Sequence, residues 1–245
     1  MISDLARRLT PDARITVMTG AGVSAASGVP TFRGADGLWK NFRPESLATP
    51  DAFARDPRLV WEWYDWRRQM IAACRPNAAH DVLASWSRRF AGFTLITQNV
   101  DGLHEKSGAS NVERLHGSIW EVMCWQRCAA SPRRLRDETV PFTQLPPACP
   151  HCGGPIRPGV VWFGEALDPG TVERATEASS ACDVFITIGT SSIVYPAAGL
   201  VDLARRAGAF TVEINPEATA ASSTVDLVFR GGAETVLPQV DREMR

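Results

Sequence analysis

Short apolar runs alternate along the chain with segments of helical periodicity. Each of the first four runs is followed at once by Gly, Gln, Asn, Ser or Thr. The predicted strands are Ile15–Thr19, Phe93–Thr97, Val184–Ile188, Phe210–Ile214 and 225–229, and the helix-period segments are 77–89, 170–181 and 196–207. This alternation predicts an α/β fold with a Rossmann-like, parallel, doubly wound sheet. Ligands of such sheets bind beyond the carboxyl ends of the strands, where the polar residues lie.

Two stretches interrupt the alternation, and both are expected to belong to a smaller lobe. Residues 38–75 form a helical segment rich in Trp and Arg, and residues 118–158 hold four cysteines and several prolines. The chain is therefore expected to be a single domain over 1–245. Its large lobe would comprise about 1–37, 76–117 and 159–245, and its small lobe, which carries the cysteines, about 38–75 and 118–158.

Length and charge exclude several classes of protein. A chain of 245 residues with 44% hydrophobic residues can build one α/β domain with a smaller lobe. A formal net charge of -1 gives no broad electrostatic reason to bind nucleic acid or an anionic membrane. No stretch approaches the roughly 18 apolar residues of a membrane span, and no apolar signal segment follows the N-terminus. A cytoplasmic monomer with no nucleic-acid or membrane partner is the expectation.

Residues 20–25, Gly-Ala-Gly-Val-Ser-Ala, fit the pattern G-x-G-x-x-G/A directly after the first strand. Glycines in this pattern permit a tight turn and let backbone N–H groups approach a pyrophosphate, although a plain pair of turn glycines is the alternative. In a dehydrogenase, a second strand with an acidic residue is expected about 20 residues after the glycine loop. In this chain, residues 32–37 are instead predicted to form a loop. Asn215 and Glu217 are then candidates for the adenosine ribose, and Phe32 and Arg33 would lie on a loop over the cofactor.

Four of the six cysteines form two close pairs separated by 20 residues. The pairs are Cys124-x3-Cys128 and Cys149-x2-Cys152. Two thiolate pairs at this spacing can close a tetrahedral zinc site with four protein ligands, which is a structural site. His151 is a weaker ligand candidate, and two incidental pairs are the alternative. A zinc ribbon can also bind nucleic acid, but residues 118–158 show no aromatic stripe on a basic face.

His116 has the position expected of a general base. It follows a short apolar run and precedes the cysteine-rich stretch, which places it at the seam between the two predicted lobes. A base at such a seam would meet a bound substrate. A purely structural histidine is the alternative at His116 and the preferred interpretation of His80 and His104.

Together these motifs resemble the sirtuin family. The matching segments follow the family order from about residue 14 to residue 233, nearly the whole chain. They are 20–24 with 28–33, 97–104, 115–117, the four paired cysteines, 160–165, 189–191 and 213–216. One departure is Cys124-x3-Cys128, where many sirtuins have two intervening residues. The resemblance also accounts for the missing dehydrogenase acid.

The resemblance implies an NAD-dependent protein-lysine deacylase of class III, bacterial type, with NAD as co-substrate and one structural zinc ion. The products would be nicotinamide, O-acyl-ADP-ribose and free lysine. The implied cofactor-binding residues are Gly20, Ala21, Gly22, Ser24, Phe32, Arg33, Gln98, Asn99, Asp101, Gly189, Thr190, Ser191, Asn215, Pro216, Glu217 and Ala233. The implied metal ligands are Cys124, Cys128, Cys149 and Cys152, and the implied substrate-pairing residues are Val160, Val161, Trp162 and Phe163. His116 would take a proton from a ribose hydroxyl, and Asn99 would position the ribose or a water molecule.

Tyr64 and Arg67 are candidates for recognising the acyl group of the substrate. They lie three residues apart on a predicted helix, so a phenol and a guanidinium can share one face. An arginine can bind a carboxylate through two hydrogen bonds, whereas an arginine that merely covers aromatic neighbours is the alternative. Sirtuins that remove succinyl and malonyl groups carry this Tyr-x-x-Arg pair, and Ala48 fits their roomier acyl pocket. The resemblance thus implies desuccinylation and demalonylation and leaves deacetylation open.

Other functions stay open at this point. A protein that is mainly a deacetylase, or a mono-ADP-ribosyltransferase, would share NAD binding and cleavage of the glycosidic bond. A non-catalytic NAD-binding module would be expected to lack His116 or the Gln98-Asn99-Val100-Asp101 set, and all of these residues are present.

Overall fold

A computed structural model describes residues 1–31 and 43–244 of the chain. The strands are β1 (Ile15–Thr19), β2 (Phe93–Thr97), β3 (Val112–Arg114), β4 (Gly117–Cys124), β5 (Leu135–Arg136), β6 (Ile156–Val160), β7 (Val184–Ile188), β8 (Phe210–Ile214) and β9 (Leu227–Phe229). The helices are α1 (Ile2–Arg8), α2 (Pro44–Leu47), α3 (Pro50–Arg55), α4 (Pro57–Ala73), α5 (Ala78–Arg89), α6 (Leu103–Lys106), α7 (Pro169–Ala181), α8 (Gly199–Arg206) and α9 (Ala233–Glu243), with a 3-10 helix over Ala21–Ser27.

Six strands form a parallel sheet in the order β3-β2-β1-β7-β8-β9. This is the strand order of a doubly wound Rossmann-like sheet, so the predicted fold class is confirmed. The order reverses between β1 and β7, and a ligand crevice is expected at their carboxyl ends.

The four predicted strands that are part of the large sheet and precede β9 have the predicted bounds, because each is a mostly apolar or β-branched run that is buried at nearly every position. β9 is two residues shorter than predicted, because Val225 closes a turn onto the Ala221 carbonyl. The predicted helices over 77–89, 170–181 and 196–207 correspond to α5, α7 and α8.

Helices cover both faces of the sheet. Side chains alternate along each strand, so Ile15 and Val17 face a core that includes Leu83 of α5 and Leu237 of α9. Met18 of β1 faces the opposite core, which α7 and α8 complete. The two layers hold the sheet rigidly, and the polar groups at its carboxyl edge are therefore fixed in place.

A second, smaller unit contains an antiparallel sheet in the order β5-β4-β6, and α4 packs against β4. Its core is rich in aromatic residues from both stretches that interrupt the alternation. The Trp61 indole N–H donates to the Ile156 carbonyl at 2.7 Å, and Phe53 packs 5.3 Å from Trp162. The strands of 118–158 were not predicted, because a register shift between Gly117 and Val122 interrupts β4, β5 has only two residues, and β6 contains Pro158.

Arg68 ties α4 to the segment after β5. Its guanidinium is fully buried, donates to the Asp137 carboxylate at 2.9 Å and lies 4.8 Å from the centre of the Phe142 ring. Burial lowers the pKa of Arg68, and the attraction of Asp137 opposes this effect.

Within residues 1–31 and 43–244, no helix combines the length and apolar character that crossing a membrane requires.

Candidate active site

The loops after β1 and β7 meet backbone to backbone at the point where the strand order reverses. The Gly20 N–H donates to the Ile188 carbonyl at 2.9 Å, and the Gly22 N–H donates to the Gly189 carbonyl at 2.8 Å. A Cβ atom on Gly22 would lie 2.7 Å from the Gly189 Cα, and Gly189 itself has a φ of +59°. Glycine is needed because no side chain fits between the loops. The Gly22 N–H, expected to face a pyrophosphate, is instead used in this contact, and the helix that follows is a 3-10 helix.

A buried polar cluster joins the loop after β2 to the loop after β1. The Asn99 amide group donates to the Gly20 carbonyl at 3.0 Å and lies 3.3 Å from the Ser24 hydroxyl oxygen. Ser24 donates to Asp101 at 2.8 Å, and the other carboxylate oxygen accepts the Leu103 N–H at 2.9 Å. Burial raises the pKa of Asp101, and these two hydrogen bonds oppose the effect. Asp101 therefore orients Ser24, which in turn contacts Asn99.

Two histidines extend this cluster into the core. His80 Nε2 lies 3.4 Å from the Ser24 hydroxyl, and the rings of His80 and His104 are 4.9 Å apart. His104 Nε2 lies 2.9 Å from the Thr19 hydroxyl. Burial lowers the pKa of His80 to about 4 and that of His104 to about 3. Both imidazoles are consequently neutral near pH 7.

Three further predicted cofactor-binding residues meet along the carboxyl edge of the sheet. The Gln98 amide group donates to the Thr190 hydroxyl at 3.0 Å, and the Asn215 amide group donates to the Thr190 carbonyl at 2.9 Å. These residues follow β2, β7 and β8, so separate strands supply one continuous polar surface.

The remaining predicted cofactor residues are more dispersed. Ser191 is half-buried beside Thr190, whereas Pro216 and Glu217 are exposed in the turn after β8. Ala233 is buried at the first residue of α9. Phe32 and Arg33 lie outside the residues that the structure describes.

His116 lies between the two sheets, immediately before β4. Its Nδ1 is 2.9 Å from the Gln98 carbonyl oxygen. A carbonyl can only accept, so Nδ1 carries the proton and Nε2 is the basic nitrogen. Burial lowers the pKa of His116, against the effect of this hydrogen bond. A neutral imidazole held in one tautomer is the form in which a general base acts.

The predicted substrate segment continues β6 beside His116. Val160 is already paired with Gly117 in the small sheet, and the Val161 N–H donates to the His116 carbonyl at 2.9 Å. The Trp162 N–H donates to Glu165 at 2.9 Å, and the Phe163 N–H donates to the Ala48 carbonyl at 2.9 Å. These N–H groups are used within the chain, so an added peptide strand would pair mainly with carbonyl oxygens of this segment.

Tyr64 and Arg67 lie on α4 and face the region between this segment and Asp101. The buried Tyr64 hydroxyl accepts the Trp162 indole N–H at 2.9 Å, and burial raises the pKa of Tyr64 to about 12. Burial also lowers the pKa of the half-buried Arg67, while the attraction of Tyr64 and Asp101 opposes this change. The Arg67 guanidinium lies 5.0 Å from the centre of the Trp63 ring. Tyr64 and Arg67 thus interact electrostatically with each other.

The four paired cysteines converge on one point. Their sulfur atoms all lie within 4.8 Å of one another, with Cys124 and Cys152 3.7 Å apart and Cys128 and Cys149 3.9 Å apart. Four sulfurs bound about 2.3 Å from a tetrahedral zinc ion would be about 3.8 Å apart, so the cluster fits this metal. His151 is exposed, and its ring nitrogens are not among the clustered ligand atoms.

The extra residue of Cys124-x3-Cys128 is accommodated by a left-handed turn. Arg127 has a φ of 51°, and its backbone N–H donates to the Cys124 carbonyl at 3.1 Å. The turn absorbs the added length, so both sulfurs still reach the metal position.

Most of the chain matches a known protein family. The profile of the Sir2 family matches residues 20–196, which include the glycine loop, the strand-end polar residues, His116 and the cysteine cluster. The chain belongs to the Sir2 family. An NAD-dependent protein deacylase of Aquifex aeolicus is 51% identical over 226 residues, which cover 92% of this chain and 93% of that protein.

Solved Sir2 structures are also similar over nearly the whole chain. A complex of a Sir2 homologue with NAD has a TM-score of 0.90 and 42% identity, covering 99% of this chain and 93% of that one. A mutant Sir2 homologue in complex with 2′-O-acetyl ADP-ribose has a TM-score of 0.91 and 42% identity. The match covers 99% of this chain and 96% of that one. The sheet and the cysteine-bearing unit of this chain are therefore those of a Sir2 protein.

Some features of this Sir2 site were not anticipated from the sequence. A capping box begins α5: the Asn77 side chain accepts from the backbone of α5, and the His80 side chain accepts from the Asn77 backbone. The spacing of these two residues could have predicted it. The contact of His104 with Thr19 could not, because the two residues lie far apart in the sequence. The ion pair of Arg157 with Glu165, eight residues apart, was also missed, because it depends on the turn in which the Glu165 N–H donates to the Trp162 carbonyl.

Proposed function

We propose that this Sir2 protein is an NAD-dependent protein-lysine deacylase. It would convert acyl-lysine, NAD and water to free lysine, nicotinamide and O-acyl-ADP-ribose. The single observation that carries the proposal is the position of His116, which contacts the Gln98 carbonyl through Nδ1 and accepts the Val161 N–H through its backbone carbonyl. The deacylase name of close relatives and the NAD complex of a similar structure support it.

Positioning would supply much of the rate. In the proposed complex, NAD lies along the carboxyl ends of β1, β7 and β8, and the acyl-lysine enters beside Trp162. Holding the acyl oxygen against the ribose carbon that nicotinamide leaves turns a reaction between separate molecules into one within a complex. Asn99 would orient the ribose or a water molecule, and Asp101 would bind the nicotinamide amide.

His116 would act once nicotinamide has left. Its Nε2 takes a proton from a ribose hydroxyl, which attacks the carbon of the transferred acyl group. The Gln98 carbonyl then stabilises the protonated ring, because it accepts the Nδ1 proton throughout.

The cysteine cluster would hold one zinc ion with a structural role. All four ligand positions are filled by protein thiolates, so no position is left for substrate.

Mass spectrometry of an acyl-peptide incubated with and without NAD tests the proposal. Loss of the acyl mass only when NAD is present, with an acylated ADP-ribose product, is the expected result. Transfer of labelled ADP-ribose to protein without loss of the acyl group would instead indicate a mono-ADP-ribosyltransferase.

The dependence of kcat/KM on pH should show the lowered pKa of His116. A base acts in its neutral form, and burial shifts the protonation of His116 to lower pH. We expect the acid limb of kcat/KM to be centred below pH 6.5, the ordinary pKa of histidine. A rate profile with NAD and one acyl-peptide measures this, and an acid limb centred above 6.5 would contradict it.

We further propose that the preferred acyl groups are succinyl and malonyl. The Tyr64 hydroxyl accepts from Trp162, so its own proton can be donated to a substrate carboxylate. Arg67 is half-buried next to it, and a guanidinium partly removed from water gains from pairing with a carboxylate. Ala48 is buried near the same segment and leaves room for a longer acyl chain.

Replacing Arg67 with methionine should raise KM for a succinyl-peptide by about tenfold or more and change KM for the matched acetyl-peptide far less. Only the succinyl group loses a charge-assisted hydrogen bond, which typically contributes about 1.5–3 kcal/mol. Steady-state kinetics on the two peptides measure this difference.

Arg58→Met is the control, because Arg58 lies on the same helix but is exposed and pairs with Glu62 at 3.4 Å. Equal losses for both peptides in Arg67→Met, or no desuccinylation by the wild type, would refute the acyl assignment and leave the NAD-dependent reaction untouched.

A further inference from the structure

A groove of about 930 Å³ lies beside the proposed substrate segment, on the side of the cysteine cluster. One wall is formed by residues 123–134 and the other by residues 157–169. Val160 and Val161 line the groove and also belong to the substrate segment. The groove is therefore continuous with the surface on which an acylated peptide would lie.

Basic side chains outnumber acidic ones in this groove. The lining arginines are Arg127, Arg133, Arg134 and Arg157, and the lining acidic residues are Glu165 and Asp168. Arg157 is buried and binds both carboxylate oxygens of Glu165, and Arg134 pairs with Glu121 at 3.2 Å. These two arginines are committed to the walls of the groove.

Arg127 and Arg133 are the lining arginines whose charge is open to a ligand. The Arg133 side chain is 80% exposed and touches Asp168 at 3.1 Å, and such exposed pairs exchange partners at little cost. The Arg127 side chain is exposed and interacts electrostatically with the Glu165 carboxylate, which Arg157 already binds. Arg127 lies in the left-handed turn between Cys124 and Cys128.

The conformation of Arg127 is unusual for its residue type. A φ of 51° is common for glycine, asparagine and aspartate but is sterically unfavourable for other residues. An arginine in such a position suggests that its side chain contributes something that asparagine would not. Two open positive charges beside a peptide-binding surface fit a carboxylate.

We propose that Arg127 and Arg133 bind an acidic side chain of the protein substrate, a few residues away from the acyl-lysine. This inference rests on the proposed deacylase function and names a preference in its substrates. An extended peptide advances about 3.3 Å per residue, so a side chain near the lysine in sequence can reach a groove that shares Val160 and Val161 with the substrate segment.

Matched acyl-peptides that carry glutamate, glutamine or lysine at successive positions on either side of the acyl-lysine test this proposal. Binding is followed by fluorescence anisotropy and turnover by mass spectrometry, at low and high salt. For at least one position we expect the glutamate peptide to bind on the order of fivefold tighter than the glutamine peptide. The ratio should approach one at 1 M salt, where charges are screened over about 3 Å.

Arg127→Asn is the informative variant, because asparagine keeps the left-handed turn and removes the charge. It should lose most of the preference for glutamate and bind the glutamine peptide as the wild type does. Arg133→Glu should shift the preference towards the lysine peptide. Arg136→Gln is the matched control, because Arg136 is an exposed arginine of the same unit that does not line the groove.

A zinc ion bound by four thiolates carries a net charge of -2, which Arg127 could offset from its place next to Cys128. Zinc content is therefore measured in each variant. Equal binding of the glutamate and glutamine peptides by the wild type, or loss of zinc from Arg127→Asn, would overturn the proposal. Glutamate-dependent binding without NAD-dependent turnover would support the groove and refute the deacylase function instead.

Discussion

Replacing His116 with tyrosine should reduce NAD-dependent deacylation by about 10²- to 10⁴-fold and leave NAD binding close to that of the wild type. General base catalysis contributes a factor of this size, and a phenol near neutral pH cannot accept the proton. The Gln98 carbonyl that orients His116 belongs to a different segment, and the polar cluster around Asn99 and Ser24 does not depend on the imidazole. Turnover of an acyl-peptide and binding of NAD are measured on the same preparation.

A second measurement separates the two stages of the proposed reaction. His116 acts after nicotinamide has left, so exchange of labelled nicotinamide into NAD should persist in the variant when acyl-peptide is present. His151→Tyr makes the same chemical change at an exposed position and should retain full activity. Near-normal deacylation by His116→Tyr would show that another group is the base.

Replacing Cys149 with serine should remove the zinc ion and lower the melting temperature by on the order of 10 °C. A closed four-thiolate site contributes its binding free energy to folding, and each kcal/mol lost lowers the melting temperature of a domain of this size by about 2–4 °C. Cys149 is buried, and Cys124 ends β4 where that strand pairs with Ile156 of β6. Loss of the metal would therefore loosen the sheet that leads into the substrate segment.

Metal analysis of freshly purified, chelator-free protein and a thermal melt test this prediction. The wild type should contain one zinc ion per chain, and Cys149→Ser should contain almost none. Cys74→Ser is the matched control, because Cys74 is half-buried and lies outside the cluster. A wild type without zinc, or a Cys149→Ser variant as stable as the wild type, would contradict the structural role.

Local pattern in the sequence was sufficient to predict the central sheet and the chemistry at its edge. The run Val184–Ile188 is apolar or β-branched at every position, which is typical of a strand buried on both faces. Polar residues directly after such runs must then lie along one edge of a parallel sheet. The spacing of four cysteines similarly predicted one cluster, because short loops within each pair leave the sulfurs few other arrangements.

The tertiary structure alone decided how these groups contact one another. The close packing of Gly22 on Gly189, the cluster of Ser24 with Asp101 and the hydrogen bond that selects the tautomer of His116 all join residues far apart in the chain. Such contacts depend on the order and spacing of strands, which no local periodicity encodes. The exposed charge of Arg127 belongs to the same class, because its importance comes from the opposite wall of a groove built by residues 157–169.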